Sequence, residues 1–482
     1  MSEQAAKKNY KEYIHMAIVF VLMFFFGQLP TFSTVTPEGM NILGIFIGII
    51  YGWLTIGMLW PSILAMIALI LTNSITLDEL YVQSFGNLTF LMVLFMWILC
   101  NVLTQAQISD KIAIKILSLK IVDGKPWVFF AVSMLAAWVV SMLLGGIVPL
   151  LIFFPIIGGI CVKFGYPAFH KTTTFLLFGI LVASCLGQMC LPIMGTPLAL
   201  LGIYMSMDQT FVLNLGQYAL FAIPFTLVIL VVFLLSARFL FRVDMSKFDS
   251  ISSTMFDKES ARFDKRQRAI LIVFFIVLLM LIVPSFLPAS AVKDVLNGLG
   301  SCGSAFIGII LMMTIKVDGK PLMDFRAAAK DVSWDVLITV AACLPLMSLL
   351  TSEGTGVQEM LMQVFMPILG GMPPIAFGLC VVIVVVLLTN FMSNYVAAII
   401  GWTLTLLYSA QIGASMLPVV YTLLVCSHLA FATPAASVFA QIAFANTQWI
   451  EAKSFMKYTT LMLIPLSIAA GVFGILWGNV IA

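Results

Sequence analysis

The sequence predicts an all-α polytopic membrane protein with about 11 transmembrane helices and two re-entrant helical hairpins arranged as an inverted repeat. Hydrophobic residues make up 62% of the 482 residues and charged residues only 9%, whereas a typical soluble domain is about 25% charged. Apolar runs of about 20 residues, the length of helix that crosses a bilayer, recur along the chain. The protein is therefore expected to be a multi-pass cell-membrane protein in contact with lipid.

The predicted spans follow these apolar runs. They lie near residues 14–32, 41–59, 61–72, 87–106, 172–203, 216–236, 269–287, 301–315, 334–351, 418–444 and 458–480. The first run is interpreted as a span because it is too long for the core of a cleavable signal peptide. Two further apolar segments, about 127–160 and 374–410, carry glycine or polar residues at their centres. Each is predicted to turn back within the membrane as a helical hairpin.

Positive charge sets the predicted topology. Lys and Arg are concentrated near the N-terminus and in residues 111–125, 238–268 and 316–330. Cytoplasmic loops carry an excess of Lys and Arg, so these four segments are assigned to the cytoplasm. With two hairpins and an odd number of spans, the N-terminus is expected in the cytoplasm and the C-terminus outside. Because the basic segments are short and flank spans, they are interpreted as topology signals, and no nucleic-acid partner is predicted.

An internal repeat divides the chain at its most polar stretch, residues 238–268, which is predicted to be a cytoplasmic linker. The first half, 1–237, and the second half, 269–482, each hold a hairpin candidate followed by a broken helix, about 172–203 and about 418–444. These helices are interrupted at Thr-Pro pairs, in IMGTPLAL and AFATPAAS, and proline inside a helix removes a backbone donor. Breaks at matching places in two halves are typical of transporters that bind substrate near the membrane midplane.

Neutral polar side chains lie at the centre of the second hairpin, in a stretch, residues 360–450, that has no Asp, Glu, Lys or Arg. They are Thr389, Asn390, Ser393 and Asn394. Hydroxyl and amide oxygens with free carbonyls at a helix end suit a hard monovalent cation, and free N–H groups at the next helix N-terminus favour an anion. The set is therefore predicted to bind both without fixed charge, although each residue singly could serve as interhelical hydrogen bonding.

The segments TNFMSNYVAAII and LAFATPAASVFAQIAF resemble the second hairpin and second broken helix of the divalent anion/sodium symporter family. In that family each half carries a Ser-Asn-Thr tip motif followed by a Thr-Pro loop, and ASCLGQMCLPIMGTPLAL is similar to the first of these loops. The resemblance covers nearly the whole chain in topology. It implies a homodimer of elevator-type transporters, each with a scaffold domain and a moving transport domain, and Na+ as the coupling ion.

Site residues carried over from the resemblance differ between the halves. In the second half the tip motif reads Ser393, Asn394, Tyr395, while in the first half it falls on Gly145 and Gly146 and is degenerate. The substrate positions implied are Gly145, Gly146, Thr196, Pro197, Ser393, Asn394, Tyr395, Thr433 and Pro434. The sodium positions implied are Ser141, Gly145, Gly195, Thr389, Met392, Asn394 and Ala432. A lost hydrogen bond to a charged group costs about 1.5–3 kcal/mol, so ordinary dicarboxylates are expected to bind weakly, and a substrate with one carboxylate or one apolar end fits better.

His428 is the only imidazole predicted deep in a span. Intramembrane ionisable residues are often functional, so it is a candidate substrate contact or proton relay; the alternative is a neutral His bonded to a backbone carbonyl. The predicted function is sodium-coupled secondary transport of small organic anions, not catalysis, with no enzymatic cofactor. A sodium-independent or proton-linked exchanger is the nearest alternative. A channel and a membrane-embedded hydrolase are more remote, the latter because Ser427 is expected to point away from His428 on a helix.

Overall fold

The computed structural model describes residues 3–193, 195–256, 261–434 and 436–481, apart from the side chains of residues 3–10, 301, 353 and 366. Nearly all secondary structure in this part of the chain is α-helical, which confirms the predicted fold class. The short antiparallel strands β1 Lys316–Val317 and β2 Lys320–Pro321 form one tight hairpin that the sequence analysis did not predict. It follows directly after a long helix, inside a segment that positive charge assigned to the cytoplasm.

The helices of the first half are α1 Glu3–Phe25, α2 Pro37–Thr55, α3 Leu59–Leu71, α4 Leu77–Gln83, α5 Leu88–Gln105, α6 Ile108–Leu117, α7 Pro126–Leu144, α8 Ile147–Lys163, α9 Lys171–Gly187, α10 Gly195–Met207 and α11 Leu215–Leu235. Those of the second half are α12 Lys265–Ile282, α13 Ala291–Thr314, α14 Phe325–Lys330, α15 Trp334–Leu350, α16 Val357–Leu369, α17 Pro374–Leu388, α18 Asn394–Ile412, α19 Leu417–Cys426, α20 Val438–Ala445 and α21 Ala452–Ile481. The short helices α4, α6, α14 and α16 lie outside the predicted spans.

Eight helical stretches in the described residues are long and apolar enough to cross a membrane, or up to ten if each of two bent helix pairs forms one span. The bent pairs are the two parts of α13, at 87°, and α16 with α17, at 109°. The bend in α13 falls at Gly300, which has φ +57°. The prediction of about 11 spans also counted shorter helices such as α3, whose 13 residues extend only about 20 Å at 1.5 Å per residue.

Both segments predicted to be hairpins consist of two contacting helices joined by a short tip. α7 and α8 are joined by Gly145 and Gly146, and Gly145 has φ +85°, a conformation that glycine adopts without a steric penalty. α17 and α18 are joined by residues 389–393, where Ser393 caps the new helix by accepting a hydrogen bond from the N–H of Tyr395. The interruptions therefore fall where the glycine and polar residues are.

The helices form two contacting groups that do not follow chain order. One group contains α1–α5 with α12–α15, and the other contains α7–α9, α11 and α17–α21. α10 contacts members of both groups, namely α15 and α5 on one side and α18 and α19 on the other. Because α8 and α9 contact α20, the tip of the first helix pair lies against the second half of the chain.

Candidate functional site

Asn390 joins the tip of the second helix pair to the non-helical segment between α19 and α20. Its buried carboxamide donates to the carbonyls of Val386 (2.7 Å) and Leu429 (2.8 Å) and accepts from the N–H groups of Phe431 (2.9 Å) and Ala432 (2.7 Å). A carboxamide has two donors and two acceptor lone pairs, so this one is fully used. Asn390 therefore fixes the position of three residues that lie about forty positions away in sequence.

The Thr-Pro pair of the second half contacts the same tip. Thr433 Oγ1 donates to the main-chain carbonyl of Asn390 at 2.7 Å. Pro434 follows in the non-helical segment, and α20 begins only at Val438, capped by Ser437, whose hydroxyl also donates to the carbonyl of Ala430. The hairpin tip and the Thr-Pro break therefore lie close together, as predicted, and hydrogen bonds between side chains and the main chain hold them there.

The hydroxyl of Thr389 lies next to two other polar groups near this tip. Its buried hydroxyl lies 2.6 Å from the carbonyl oxygen of Ser427 and 2.9 Å from the side-chain oxygen of Asn394, and both of these oxygens are acceptors. A hydroxyl has one proton, so it can donate fully to only one of the two oxygens. The other oxygen then keeps a lone pair for another ligand. Two of the predicted sodium positions, Thr389 and Asn394, therefore lie together, and the Ser427 carbonyl, which was not predicted, lies beside them.

Tyr395 links the second tip to the first broken helix. Its side chain is buried, and its hydroxyl has no hydrogen bond of good geometry among the described residues, although it lies close enough to the Thr196 side chain to interact with it. Its ring lies 6.4 Å from that of Trp53. Thr196 and Pro197 occupy the first turn of α10, which begins at Gly195 with φ +61°. The first-turn N–H groups of a helix lack intrahelical partners, so this end of α10 can accept an anion.

The tip of the first helix pair repeats one contact of the second. Ser141 Oγ donates to the carbonyl of Ser184 at 2.6 Å, as Thr389 does to Ser427. A Cβ on Gly146 would lie 2.9 Å from the Ser184 oxygen and 2.8 Å from an edge carbon of Phe439, closer than real Cβ contacts allow. Packing against α9 and α20 therefore leaves no room for a side chain at Gly146.

The predicted sodium positions form separate groups in the described structure. Thr389 and Asn394 contact each other, and the N–H of Ala432 is bound by Asn390 while its carbonyl lies 3.4 Å from the hydroxyl of Thr459. The N–H of Met392 donates to Leu388. In the first half, the N–H of Gly145 donates to the carbonyl of Ser141. Met194 and Ala435, next to the two Thr-Pro pairs, lie outside the described residues.

His428 is buried beside Ser427, with Nδ1 3.1 Å from the serine Oγ. The expectation that Ser427 points away from it was wrong, because α19 ends at Cys426 and both residues lie beyond its last turn. Ser427 Oγ donates to the carbonyl of Leu424 at 2.8 Å, so its proton is not directed at the imidazole as nucleophilic catalysis would need. His428 Nε2 has no partner among the described residues, which leaves it available to a ligand.

Asn390 was missed as a site residue although the sequence analysis noted it among the polar residues of the hairpin. The resemblance pointed to the tip motif and to Thr389, and a carboxamide directly after Thr389 carries no periodic signal. The sequence around Asn390 did contain a signal, because an amide with two donors and two acceptors in an apolar stretch without charge must find its partners in the protein. This predicts that the amide is fully hydrogen-bonded, but not which residues it binds.

A cavity of about 500 Å³ lies at the far end of α18 from this tip. Its lining includes Asp208, Thr210, Thr351, Gln358 and Ser409. None of the predicted substrate or sodium residues lines it. The cavity is bordered by α10, α15, α16 and α18, so it lies between the two helix groups.

Comparison with known proteins gives a family for this arrangement. The family described as CitMHS, citrate transporter, matches residues 42–426, well over half of the chain. No curated protein matches the sequence. The resemblance to the divalent anion/sodium symporter family agrees with this result at the level of organic-anion transport and stays a resemblance beyond that.

Among solved structures, the fold is similar to the crystal structure of the YdaH transporter of Alcanivorax borkumensis, described as having an unusual topology. The TM-score is 0.52 and the sequence identity 14%, and the match covers 82% of this chain and 88% of that one. At this identity the similarity shows the fold alone. The family description is that of a transporter and not of an enzyme.

Proposed function

The chain belongs to the citrate transporter family, and from this membership we propose that it is a secondary active transporter of small organic anions, coupled to sodium, that works by an elevator mechanism. The observation that supports this most directly is the junction of the second tip with the non-helical segment after α19. Neutral oxygen and nitrogen groups are concentrated at this junction. It lies within residues 360–450, which contain no charged side chain. A solute bound there would be held by dipoles and hydrogen bonds.

Sodium is the proposed coupling ion because the groups around Thr389 match what a hard monovalent cation needs. The Thr389 hydroxyl lies 2.6 Å from the Ser427 carbonyl oxygen and 2.9 Å from the Asn394 amide. Neutral oxygen ligands suit a small hard cation, and the absence of a nearby carboxylate in this stretch fits a single positive charge. The corresponding first-half position is Ser141 with the Ser184 carbonyl.

The organic anion is proposed to bind between the N-termini of α18 and α10. Ser393, Asn394 and Tyr395 form the start of α18, and Thr196 and Pro197 lie in the first turn of α10. Helix N-termini attract anions through free N–H groups and the helix dipole. Because Gly145 and Gly146 offer no side-chain donor, we propose that one carboxylate binds at the second tip and that the other end of the substrate is less polar.

The elevator mechanism and the homodimer are proposed from the grouping of helices together with the family resemblance. Both tips and both broken helices belong to one contacting group, apart from α10, while α1–α5 and α12–α15 form the other. A rigid group that carries both tips could move against a fixed one, with α10, which contacts both groups, between them. The proposed topology keeps the N-terminus in the cytoplasm and the C-terminus outside.

A sodium-independent or proton-linked exchanger is the second candidate, and one observation favours it. His428 is buried next to Ser427, and its Nε2 has no partner in the described part of the chain. Histidine is the side chain best suited to proton transfer near neutral pH. A coupling proton at this position would replace the sodium ion in the mechanism.

Uptake into proteoliposomes distinguishes these candidates. Radiolabelled citrate, a dicarboxylate and a monocarboxylate are offered with an inward sodium gradient, with an inward proton gradient, and with neither. Proposed symport predicts uptake that requires the sodium gradient and favours a substrate with one less polar end. Uptake driven by protons alone, or only by exchange with internal anion, would replace sodium coupling by the alternative; a strong preference for a citrate-like trianion would contradict the altered first half-site.

A further inference from the structure

Gln188 occupies a specific place beside the altered first tip. It directly follows α9, in the non-helical segment that leads to α10. The preceding residue, Gly187, packs so closely against α7 that a Cβ there would lie 2.4 Å from the Trp138 carbonyl oxygen and 2.8 Å from the Ser141 Cβ. Gln188 therefore directly follows the residue that packs against Ser141, and it lies four positions after Ser184, whose carbonyl accepts the hydrogen bond of Ser141.

The amide nitrogen of Gln188 is buried and has no hydrogen-bond partner among the described residues, and the side chain as a whole is only 9% exposed. A buried amide without a partner costs free energy that a protein normally avoids. The carboxamide of Asn390, at the second tip, has all four of its hydrogen bonds. The two halves thus differ: the Gln188 amide nitrogen in the first half is an unpaired donor, whereas the Asn390 amide in the second half makes all its hydrogen bonds.

The positions of these amides are related by the repeat. Aligning Ser141 with Thr389 places Met142 at the position of Asn390, and aligning Ser184 with Ser427 places Gln188 at the position of Phe431. In the second half the amide of the tip reaches the main chain at Phe431. In the first half the amide belongs to Gln188, in the segment after α9. The residue at the position of Asn390 is Met142, which has no strong hydrogen-bonding group.

We propose that Gln188 is a substrate-binding residue of the first half-site, where its amide donates to an oxygen acceptor at the end of the organic anion far from Ser393 and Asn394. This inference rests on the proposed function. Binding gains the full interaction because no protein hydrogen bond has to be broken to free the donor. A carboxylate, a carbonyl and a hydroxyl oxygen share the required chemistry, and a methyl group lacks it.

Gln188→Leu tests the inference, since leucine has a similar size and no hydrogen-bonding group. Without ligand, the thermal midpoint is expected to stay the same or rise, because an unpaired buried group is removed. The KM for labelled citrate in proteoliposomes is expected to rise roughly ten- to hundredfold, the effect of losing one hydrogen bond to a charged group. An unchanged KM would overturn the inference.

Gln267→Leu is the matched control. Gln267 is equally buried, but its amide donates to the Ala106 carbonyl and accepts from the Asp264 N–H and from Lys111. This variant is expected to lower the thermal midpoint and leave the KM unchanged. If Gln188→Leu lowers the midpoint as Gln267→Leu does, Gln188 is a structural residue and the inference is wrong.

Competition against labelled citrate uptake identifies the acceptor. Succinamate, which ends in an uncharged amide, is expected to compete better than butyrate, which ends in a methyl group, in the wild-type protein. In Gln188→Leu the two competitors are expected to become equivalent, and a retained preference would contradict the role of Gln188. Wild-type protein that takes up none of the labelled anions would contradict the proposed function itself and the inference with it.

Discussion

The side-chain oxygen of Asn390 accepts a hydrogen bond from the main-chain N–H of Ala432 at 2.7 Å, inside a site from which solvent is excluded. Ala432 precedes the Thr-Pro pair, and Asn390 lies in the tip between α17 and α18. The two segments can move apart only if this bond and the bonds of Asn390 to Leu429 and Phe431 are broken, whereas its fourth bond, to Val386, lies within the first segment. The second tip and the non-helical segment after α19 should therefore stay together through any conformational change of the transport cycle.

Asn390→Leu is predicted to lower stability strongly. The substitution leaves the carbonyls of Val386 and Leu429 and the N–H groups of Phe431 and Ala432 without the partner they share now. Each buried polar group left unpaired costs about 1–3 kcal/mol. Thermal unfolding of the purified protein should show a large decrease in the midpoint. Asn390→Asp should show a smaller one, because a buried aspartic acid is neutral and keeps an acceptor and one donor.

Asn446→Leu controls for the loss of an amide at a helix end. Asn446 follows α20, and its side-chain oxygen has no hydrogen-bond partner among the described residues. Its replacement should change the thermal midpoint little. Equal midpoints for the Asn390 and Asn446 variants would show that the four hydrogen bonds of Asn390 do not hold the junction.

Gly146→Ala is predicted to destabilise the first tip and to reduce transport. The new methyl group would meet the Ser184 carbonyl and the ring of Phe439 at less than 3.0 Å, so α8, α9 or α20 must shift. The same change at Gly159, on the same helix, meets nothing within 4 Å and should stabilise slightly, by about 0.5–1 kcal/mol. Thermal midpoints and uptake rates of the two variants test this; a Gly146→Ala protein that behaves like Gly159→Ala would show that the tip is not closely packed.

His428→Asn is predicted to raise the KM for the transported anion with little change in the thermal midpoint. Asparagine can still hydrogen-bond Ser427, but it removes the Nε2 atom that has no partner in the described structure. His170→Asn is the control, because His170 caps α9 through its Nδ1 and asparagine is an equally good helix cap. Kinetics that are unchanged in both variants would mean that His428 only fills space.

Much of the fold follows from local sequence. The length of the apolar runs predicted a multi-pass helical protein, and Gly145–Gly146 and the polar residues 389–393 predicted where the two helix pairs are interrupted, because glycine and unpaired polar groups are poorly suited to a continuous span. Ser141 and Thr389 were expected as sodium positions from the resemblance, but their hydrogen bonds to Ser184 and Ser427 were not predicted. The residues that receive these bonds are about forty positions away and depend on packing.

The predictions that were wrong or missing also concern features that local sequence does not determine. Ser427 contacts His428 because α19 ends at Cys426, well before the predicted break at Thr433, and the end of a helix inside a uniformly apolar run has no capping signal. Asn390 and Gln188 are both carboxamides near a tip, and composition cannot tell the one with four hydrogen bonds from the one with a free donor. The bend in α13 falls at one glycine, Gly300, among several in that helix.

A sodium titration of organic-anion uptake in proteoliposomes tests the central claim most directly, with wild-type protein, Thr389→Val and the control Thr422→Val. Thr422 is also buried, but its hydroxyl donates within α19, to the carbonyl of Pro418. The proposed site predicts that Thr389→Val needs more sodium for half-maximal uptake, about tenfold if about 1.4 kcal/mol of ion binding is lost, whereas Thr422→Val matches the wild type. Identical sodium dependence in all three proteins, or uptake that ignores sodium, would contradict the account.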